Sequence, residues 1–347
     1  MRILFDASIL KPGAAGISTF VRSLGTALLR IGDVYILTSV PNQFSGIDPA
    51  RIIAIPESTQ TFPQRQLWRE MALRRHITGL GAEGLIVPAP EMPFRRISVP
   101  SIAVVFDVGP LARPDLYSVA RNIRMRGLLR PVLRRSSRVV CISRFSQQEL
   151  GRLLPGYEAK TEVVQCAVEP SRIQPLSEPV SNENVVLYIG TTHRHKNLET
   201  LVSSFASLPS LHLILVGPGT EKFRDASQNV TGKGWVELPE LRILLSRATL
   251  LVNPSLYEGS GLPALEALAS GIPTVLSDIP AFREVAGDAA AYVANPKSPD
   301  EWKAVLSEIC SNPKRREELS LAGLRRVSQL SWDSVAQSYI DILGAVS

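Results

Sequence analysis

The sequence is poor in the residues from which metal centres and disulfide frameworks are made. It contains three cysteines and four histidines in 347 residues. None of them follows a metal-ligand spacing, so no metal is predicted. Scattered cysteines of this kind behave as small buried hydrophobes in a reducing compartment, which predicts a cytoplasmic protein. The residues concerned are Cys141, Cys166, Cys310, His76, His193, His195 and His212.

Long apolar runs and clustered aromatic residues are also missing. No stretch of 18 apolar residues occurs, so no membrane-spanning helix is predicted. The first six residues include charged side chains and no small-residue cleavage site, and we interpret them as a first β-strand rather than a signal peptide. Aromatic residues make up 6% of the chain and are scattered, and no recognition motif is present, which argues against a nucleic-acid-binding protein.

The composition that remains is typical of a globular protein of two domains. Apolar residues make up 45% of the chain and charged residues 20%, and 347 residues exceed one ordinary hydrophobic core. The net charge of +6 is uneven, because the chain through Val180 carries 23 Lys+Arg against 14 Asp+Glu. The basic excess suits a phosphate-bearing acceptor or an anionic membrane surface, and it is equally compatible with a solvated helix face. It is greatest at Arg113, Arg121, Arg124, Arg126, Arg130, Arg134, Arg135 and Arg138.

Strand and helix patterns alternate along the chain, which predicts parallel sheets covered by helices on both faces. In the first half, strands are predicted at 3–5, 34–37, 84–87, 102–105 and 139–142, and helices at 17–29 and 64–77. A polar stretch with three prolines, residues 169–184, is the predicted hinge. In the second half, strands are predicted at 185–189, 213–216, 249–254 and 274–276.

The predicted fold class is α/β, with two doubly wound Rossmann-like domains facing a cleft. The predicted domains are residues 1–170 and 183–330, and an amphipathic C-terminal helix at about 331–347 is expected to pack back onto the first. Ligands of doubly wound sheets bind outside the carboxyl ends of the strands. The loops after Ile189, Val216 and Asn253 all lie at that edge of the second domain.

One segment of the second domain combines a strand, a tight loop and a helix in a pattern that indicates a ligand. Glu258 and Glu266 enclose two glycines and Pro263. Proline is tolerated in the first turn of a helix, and the free amides of that turn form an anion site. A carboxylate beside an anion repels it, so we expect each glutamate to accept hydrogen bonds from hydroxyl groups. A ligand with an anionic group flanked by hydroxyl-bearing groups has the chemistry of a nucleotide sugar.

A second loop of the same domain, residues 190–197, carries cationic side chains. Gly190 lets the backbone approach a ligand closely, and Arg194 and Lys196 can bind phosphate. A basic loop before a helix is usually only solvated, so this loop gains its functional interpretation from the Glu258 loop.

The remaining loops are less specific. Gly217-Pro218-Gly219 is interpreted as a tight turn, and Asp278 and Glu284 as structural or surface groups. The loop from Lys11 to Gly16 is not the dinucleotide-binding GxGxxG motif, although its glycines would allow close approach to a ligand. Ser143 is a predicted helix N-cap.

Taken together, these residues resemble the retaining GT-B glycosyltransferases of family 4. The strongest match covers residues 249–294, where the family's E-x7-E block corresponds to Glu258 through Glu266. Gly190-Thr191 and the run from His195 to Leu198 match the family's basic donor-phosphate loop. The weaker matches, which extend the resemblance over almost the whole chain, are Phe5 to Ala7 with Gly16-Ile17, Ser143 to Ser146, and Ser331-Trp332.

The resemblance implies roles for the matching positions. Glu258 and Lys196 are the expected catalytic residues, since Glu258 contacts the transferred sugar and Lys196 neutralises the leaving diphosphate with Arg194 as a helper. Glu266 is expected to bind the ribose. Many relatives carry a basic residue directly after the glycine, where this chain has Thr191. The other expected donor-binding residues are Gly190, Thr191, Gly259, Ser260, Gly261 and Leu262, the last four through their backbone amides.

On the first domain, the resemblance places Gly16, Phe106 and Asp107 at the cleft or the acceptor. Relatives usually carry His-Asp where this chain has Phe106-Asp107, and phenylalanine cannot transfer a proton, so no general base is assigned. Transfer in this family is thought to need mainly positioning and stabilisation of diphosphate charge, and it could survive this loss.

The implied function is transfer of a hexose, with mannose from GDP-mannose favoured, to a saccharide or polyprenyl-linked glycan in cell-surface polysaccharide synthesis. The nucleotide sugar is a co-substrate, and no cofactor or metal is expected. The expected location is cytoplasmic, with peripheral attachment to the inner membrane face as a variant. Two alternatives stay open: a catalytically impaired nucleotide-sugar-binding protein, suggested by Phe106, and a sugar-nucleotide epimerase of similar build.

Overall fold

The computed structural model describes residues 1–11, 16–44, 46–168, 184–224 and 226–346. The predicted hinge lies outside the described residues except for Asn184, and so do residues 12–15 of the loop that ends at Gly16. The chain divides into two compact units. The first unit contains Met1–Pro114, Ser118–Cys166 and Ser331–Ser347, and the second contains Asp115–Tyr117 and Ala167–Leu330.

The first unit is built on a parallel sheet that has seven strands in the described residues. Its strands are β1 Ile3–Asp6, β2 Val34–Thr38, β3 Ile52–Ala54, β4 Gly84–Val87, β5 Ser101–Val105, β6 Arg138–Cys141 and β7 Thr161–Val163. Every residue of β1, β4 and β5 is buried, as a parallel sheet covered on both faces requires. The order across the sheet is β3-β2-β1-β4-β5-β6-β7, so the winding reverses between β1 and β4.

Serine caps fix the start of several helices of this unit. Ser118, Ser143 and Ser331 each accept a hydrogen bond from the amide three residues further on, which confirms the cap predicted at Ser143. The helices of the unit are α1 Ile17–Ile31, α2 Phe62–Trp68, α3 Arg74–Leu80, α4 Gly109–Ala112, α5 Val119–Arg135, α6 Arg144–Leu153 and, near the C-terminus, Trp332–Gly344.

The helix predicted over residues 64–77 is present, but it is not a continuous α-helix. A π-helical turn, Arg69–Leu73, separates α2 from α3. Side chains four residues apart rotate by about 40° round an α-helix, and the wider π turn counteracts that drift. Side chains at four-residue spacing therefore all remain buried, and these are Arg65, Arg69, Leu73 and Ile77.

Two of those buried side chains are arginines, and they form an ion network with two carboxylates. Arg69 Nε lies 2.6 Å from Asp6 Oδ2, and its Nη1 lies 2.6 Å from Glu91 Oε2. Arg65 makes a two-pronged contact of 2.8 and 2.9 Å with the same Glu91 carboxylate. We call these four residues the buried ion network. Burial raises the pKa of Glu91, but the hydrogen bonds and charges of Arg65 and Arg69 outweigh burial and lower this pKa to about 2.

The lowered pKa of Glu91 predicts a loss of stability in acid. Since the carboxylate titrates near 4.5 when unperturbed and near 2 in the fold, its contribution is present above pH 4.5 and is lost as the pH falls towards 2. A shift of this size corresponds to about 3 kcal/mol of unfolding free energy. Urea unfolding at a series of pH values measures it. In Glu91→Gln this component of the pH dependence should be absent, and an unchanged acid profile in that variant would contradict the assignment.

The C-terminal helix Trp332–Gly344 packs in the first unit against α1. The Trp332 ring lies edge-on to Phe20 with ring centroids 5.5 Å apart. Arg30 of α1 pairs with Asp333 at 2.5 Å. A Cβ built on Gly84, at the start of β4, would overlap the terminal methyl of Leu343, so the glycine makes room for this side chain. Burial of Val335, Tyr339 and Leu343 matches the predicted amphipathic pattern.

The second unit is built on a parallel sheet with six strands in the described residues. Its strands are β8 Val185–Ile189, β9 His212–Val216, β10 Val230–Gly234, β11 Ala248–Asn253, β12 Thr274–Ser277 and β13 Ala291–Val293. The order is β10-β9-β8-β11-β12-β13, so the winding of this sheet reverses between β8 and β11.

The helices of the second unit pack on this sheet. Trp302 is wholly buried in the core beneath it, together with Phe205 and Leu250. The helices are α7 Leu198–Phe205, α8 Leu238–Arg247, α9 Leu262–Ala269, α10 Pro280–Ala286, α11 Pro299–Ser311 and α12 Pro313–Val327, and the helix Trp332–Gly344 of the first unit is α13. Among the described residues, no helix combines the length and apolar character needed to cross a membrane.

Candidate functional site

The loop after β8 brings its cationic residues to the carboxyl edge of the second sheet. A 3₁₀ turn, Arg194–Lys196, ends at Asn197, whose φ of 55° lies in the left-handed region. Asparagine tolerates this conformation better than most residues. The Asn197 side chain donates to Pro296 O at 2.7 Å and accepts from Thr200 at 2.8 Å. The turn is therefore fixed at the start of α7, with Arg194 exposed and the Lys196 side chain largely buried.

The loop after β11 is fixed by Asn253, Ser255 and Gly261. Asn253 Oδ1 accepts from the Ser255 amide at 3.2 Å, which turns the chain directly after the strand. Gly261 has φ of 69° at the start of α9, with Pro263 in the first turn as predicted. A side chain on Gly261 would crowd the Phe282 ring, with a Cβ only 2.8 Å from it. Gly259 and Ser260 are buried, and Glu266 lies half-buried in the second turn of α9.

The two loops meet at the point where the winding of the sheet reverses. The amide of Leu256, in the loop after β11, donates to His195 O in the loop after β8 at 2.8 Å. Lys196 Nζ forms an ion pair with Glu258 Oε1, and each of the two side chains is 12% exposed. Two residues separated by 62 positions in the sequence are thus joined where doubly wound sheets bind ligands.

The charge of Glu258 is stabilised in this position. Burial raises the pKa of Glu258, but the charge and hydrogen bond of Lys196 and the hydrogen bond of Ser255 outweigh burial, so the pKa lies below its ordinary value. The Ser255 hydroxyl lies 2.6 Å from Asn253 Oδ1 and 2.7 Å from Glu258 Oε1. Its single proton can be donated to one of the two oxygens at a time. An ionised carboxylate has roughly four acceptor sites, and the contacts with Lys196 and Ser255 both involve Oε1, so the group keeps capacity to accept further hydrogen bonds, for example from ligand hydroxyls.

Sequence reasoning missed two members of this site. Ser255 is wholly buried, and its contact with Glu258 could have been anticipated only from its place two residues after the strand. His195 was included in the run matched to the basic donor-phosphate loop, but its side chain was given no role; its ring is buried, and its electrostatic interaction helps to lower the pKa of Glu258.

The turn at Gly217 contributes more to the site than the sequence indicated. Gly217 has φ of 126°, and a Cβ built on it would overlap the backbone carbonyl of Gly190. Gly190 in turn donates its amide to Val216 O at 2.9 Å, and a Cβ on Gly190 would overlap the Tyr188 hydroxyl. The turn after β9 thus packs directly on the start of the Lys196 loop.

Replacing Gly217 by alanine should therefore destabilise the second unit. The strained φ and the backbone overlap together are expected to lower the free energy of unfolding by roughly 2–4 kcal/mol. Denaturant unfolding of the variant measures this loss. Gly127→Ala is the control, because a Cβ at Gly127 meets nothing within 4 Å. If both variants were as stable as the parent, the packing role of Gly217 would be refuted.

In the first unit, the predicted residues Gly16, Phe106 and Asp107 have different local roles. Gly16 has φ of 66° directly before α1. Phe106 is 7% exposed and packs edge-on against Phe20, with ring centroids 4.9 Å apart, so it is a core side chain. Asp107 Oδ1 accepts from the Gly109 amide at 2.8 Å, in the turn that leads into α4. Within the described residues, no group of three or more His, Cys, Asp or Glu side chains is arranged to hold a metal ion.

Comparison with known families accounts for the fold of both units. The family model described as Glycosyltransferase Family 4 matches residues 14–172, and the model described as Glycosyl transferases group 1 matches residues 172–326. The chain is a GT-B glycosyltransferase of group 1 / family 4. The carboxyl edge of the second sheet, with Lys196 and Glu258, lies in the part of this glycosyltransferase that the group 1 model matches.

Individual proteins support the same assignment. The O-antigen chain mannosyltransferase B of Escherichia coli is 26% identical to this glycosyltransferase over 302 residues, which are 80% of this chain and 77% of the relative. The sucrose-phosphate synthase of Thermosynechococcus elongatus superposes with a TM-score of 0.80 at 21% identity over 99% of each chain. Anabaena HepE, solved in complex with UDP-glucose, superposes with a TM-score of 0.76 at 13% identity over 99% of this chain and 100% of that one. At these identities the two structures establish the fold alone.

The contact between Ser255 and Glu258 leads to a prediction for the enzyme. Ser255→Ala removes one hydrogen bond to a charged, nearly buried carboxylate, so the pKa of Glu258 should rise and the rate of sugar transfer should fall about tenfold. Initial rates of nucleotide release over a range of pH measure both effects. Ser203→Ala, an exposed serine on α7, is the matched control. A Ser255→Ala enzyme with the rate and pH profile of the parent would exclude the role.

Proposed function

We propose that this glycosyltransferase moves mannose from GDP-mannose, with retention of configuration, to a saccharide or polyprenyl-linked glycan in cell-surface polysaccharide synthesis. The observation that carries the proposal is the Lys196–Glu258 ion pair at the reversal point of the second sheet. The pair joins a cation, which we assign to the diphosphate, to a carboxylate, which we assign to the sugar hydroxyls. The name of the Escherichia coli relative, an O-antigen chain mannosyltransferase, supports both the sugar and the type of product.

In this proposal, Glu258 accepts hydrogen bonds from the hydroxyls of the transferred sugar. Lys196 leaves its contact with Glu258 to bind the diphosphate, and exposed Arg194 assists it. The backbone amides from Gly259 to Leu262 contact the sugar and the diphosphate at the start of α9. Glu266 binds the ribose hydroxyls, while Gly190 and Thr191 border the diphosphate. The cationic charge comes from the chain itself, so the proposed reaction needs neither a metal nor a cofactor.

The proposed transfer takes place on one face of the sugar. The bond between the anomeric carbon and the phosphate oxygen breaks, and a bond from the acceptor oxygen to the same carbon forms. The acceptor proton passes to the departing phosphate oxygen, so no side-chain base is required. This order of bond breaking and proton transfer is compatible with Phe106 as a core residue, because catalysis then depends on positioning and on stabilising the diphosphate charge.

A donor panel tests the proposal directly. Nucleotide release is measured with GDP-mannose, UDP-glucose and other nucleotide sugars in the presence of membrane acceptors, since HepE was solved with UDP-glucose. The proposal expects GDP-mannose to give the highest rate. A higher rate with a UDP-sugar would show that a UDP-sugar, and not GDP-mannose, is the donor. Formation of an isomerised sugar nucleotide without any acceptor would indicate an epimerase. Nucleotide binding without turnover of any donor would indicate an impaired transferase.

We also propose that the first unit binds an anionic membrane surface from the cytoplasmic side. On α5, Val119 and Ile123 are 72% and 65% exposed, beside exposed Arg124, Arg126 and Arg130. Exposed apolar side chains among arginines suit the interface of a bilayer that contains anionic lipids. Flotation with anionic vesicles at low and high salt tests this surface. Binding at low salt that weakens at high salt is expected, and no binding at low salt would reject it.

A further inference from the structure

The first unit carries its own bridge of charged residues at the reversal point of its sheet. Asp6 ends β1, and Glu91 follows β4, so both lie at the carboxyl edge beside the strands between which the winding reverses. This is the point at which doubly wound sheets leave a crevice for a ligand. In the second unit the equivalent point carries Lys196 and Glu258. In the first unit it carries Arg69, which contacts Asp6 and Glu91 together.

Arg69 connects the backbone segments that follow the two strands. Its Nη2 lies 3.2 Å from the Ser8 hydroxyl, and Asp6 Oδ1 accepts from the Ser8 amide at 3.0 Å. The residues directly after β1 are therefore held by the same guanidinium that pairs with Glu91. The side chains of Arg69 and Asp6 are both 0% exposed, so these contacts are shielded from water.

The helical segment that carries Arg69 also holds the backbone after β4. Gln66 donates to Met92 O at 3.0 Å. Glu70 accepts hydrogen bonds from the amides of Phe94 and Arg95. Gln66, Arg69 and Glu70 thus hold residues of the loop between Glu91 and Arg95 that follows β4. The π turn begins at Arg69, and such turns occur frequently at functional sites.

Stability alone does not account for this arrangement. Even where the attraction between buried charges outweighs their desolvation, well-packed apolar residues of similar volume are often as stable or more stable. A chain under selection for stability alone would not need four buried charges at this edge. What the network provides is a fixed position for the two segments that follow β1 and β4, at the edge where doubly wound sheets bind ligands.

We infer that Arg69 and Glu70 are positioning residues for the acceptor: through Asp6, Glu91 and the backbone at 92–95, they fix the loops that border the acceptor crevice. The inference rests on the proposed function, in which the first unit takes a hydroxyl-bearing acceptor. Neither residue is assigned a contact with the donor or with the reacting atoms. Their loss should therefore act on the acceptor KM and leave the donor KM unchanged.

The test uses Glu70→Ala and Arg69→Lys in the full chain. Glu70 is only partly buried, so its variant is expected to fold even if Arg69→Lys does not. The control is Asp33→Ala, because Asp33 is a half-exposed carboxylate paired with Arg2 immediately before β2, at the opposite edge of the same sheet. Rates of nucleotide release are measured against methyl α-D-mannopyranoside as the acceptor probe, and donor hydrolysis is measured without acceptor.

The expected result is an acceptor KM raised about tenfold in both variants, with donor KM and hydrolysis within twofold of the parent and of Asp33→Ala. An unchanged acceptor KM would overturn the inference, and so would a donor KM that rises in step. Amide hydrogen exchange of the parent, measured with and without each of a panel of saccharides, detects acceptor binding independently of the rates. Protection of residues 7–11 and 88–95 supports the site, and the absence of protection by any saccharide overturns it. Failure of the parent to bind or hydrolyse any nucleotide sugar would instead refute the proposed function.

Discussion

Lys196→Ala should lower the rate of nucleotide release by at least about 100-fold, the usual loss when one group that stabilises developing negative charge is removed. The departing diphosphate gains charge as its bond to the sugar breaks, and Lys196 is the cation that the structure places beside Glu258 at the sheet edge. The variant also leaves Glu258 without its counter-charge, so the pKa of that carboxylate should rise. Rates with saturating donor, compared with the parent, measure the effect on transfer.

Two further variants separate loss of charge from loss of fold. Lys222→Ala removes a lysine that pairs with Glu199 on the surface of the same unit, where both side chains are about half exposed or more, and it should leave the rate unchanged. Lys196→Arg keeps the charge and should retain more activity than Lys196→Ala. Far-ultraviolet circular dichroism checks that each variant is folded. Equal, nonzero turnover in Lys196→Ala and the parent would defeat the assigned role.

Arg69→Met should cause the largest loss of stability, about 3–5 kcal/mol in the free energy of unfolding of the first unit. Arg69 is wholly buried, and its removal leaves the carboxylates of Asp6 and Glu91 with less compensation in a site that water cannot reach. Arg65 still pairs with Glu91, so Asp6 bears most of the penalty. Calorimetric unfolding, with the transition of each unit resolved, measures the change.

A double-mutant cycle identifies the cause of that loss. Asp6→Asn in the Arg69→Met background should recover part of the stability, because the uncompensated charge is then gone. Arg30→Met is the surface control, since Arg30 and Asp333 are each about half exposed and their pair should contribute less than about 1 kcal/mol. If Arg69→Met cost no more than Arg30→Met, the network would have no energetic role.

The fold was largely predictable because the central strands are short apolar runs of β-branched residues. The structure confirms two Rossmann-like domains on parallel sheets. The strands that the sequence did not reveal lie at or near sheet edges or carry little apolar side chain. Val230–Gly234 contains two glycines and a lysine, and Thr161–Val163 is three residues long. Such segments become strands because a neighbour offers backbone partners, and that information is not local.

The Lys196–Glu258 region of the candidate site was predictable as two loops but not as one arrangement. Spacing placed Lys196 and Glu258 at the ends of separate strands, and only the strand order makes β8 and β11 neighbours. The pairing of the two side chains follows from that adjacency. Their assignment to phosphate and sugar stays a prediction that the binding experiments must test.

The buried ion network could have been suspected from the helical pattern. Arg65 and Arg69 fall at four-residue spacing from Leu73 and Ile77, which places two charges on an apolar stripe. Charged residues on such a stripe are almost never fully buried unless they are paired. Their partners, Asp6 and Glu91, come from a strand end and a loop remote in sequence, so periodicity alone could not identify them.

The most direct test of the nucleotide-sugar site is calorimetric titration of the parent, Lys196→Ala and Glu258→Gln with GDP and with GDP-mannose. Lys196→Ala should weaken GDP binding about tenfold or more, because a charge-assisted contact with the diphosphate is lost. Glu258→Gln should bind GDP as the parent does but should lose the additional affinity that the mannosyl group provides. If both variants bound both ligands with the affinity of the parent, the Lys196–Glu258 pair would not be where the nucleotide sugar binds.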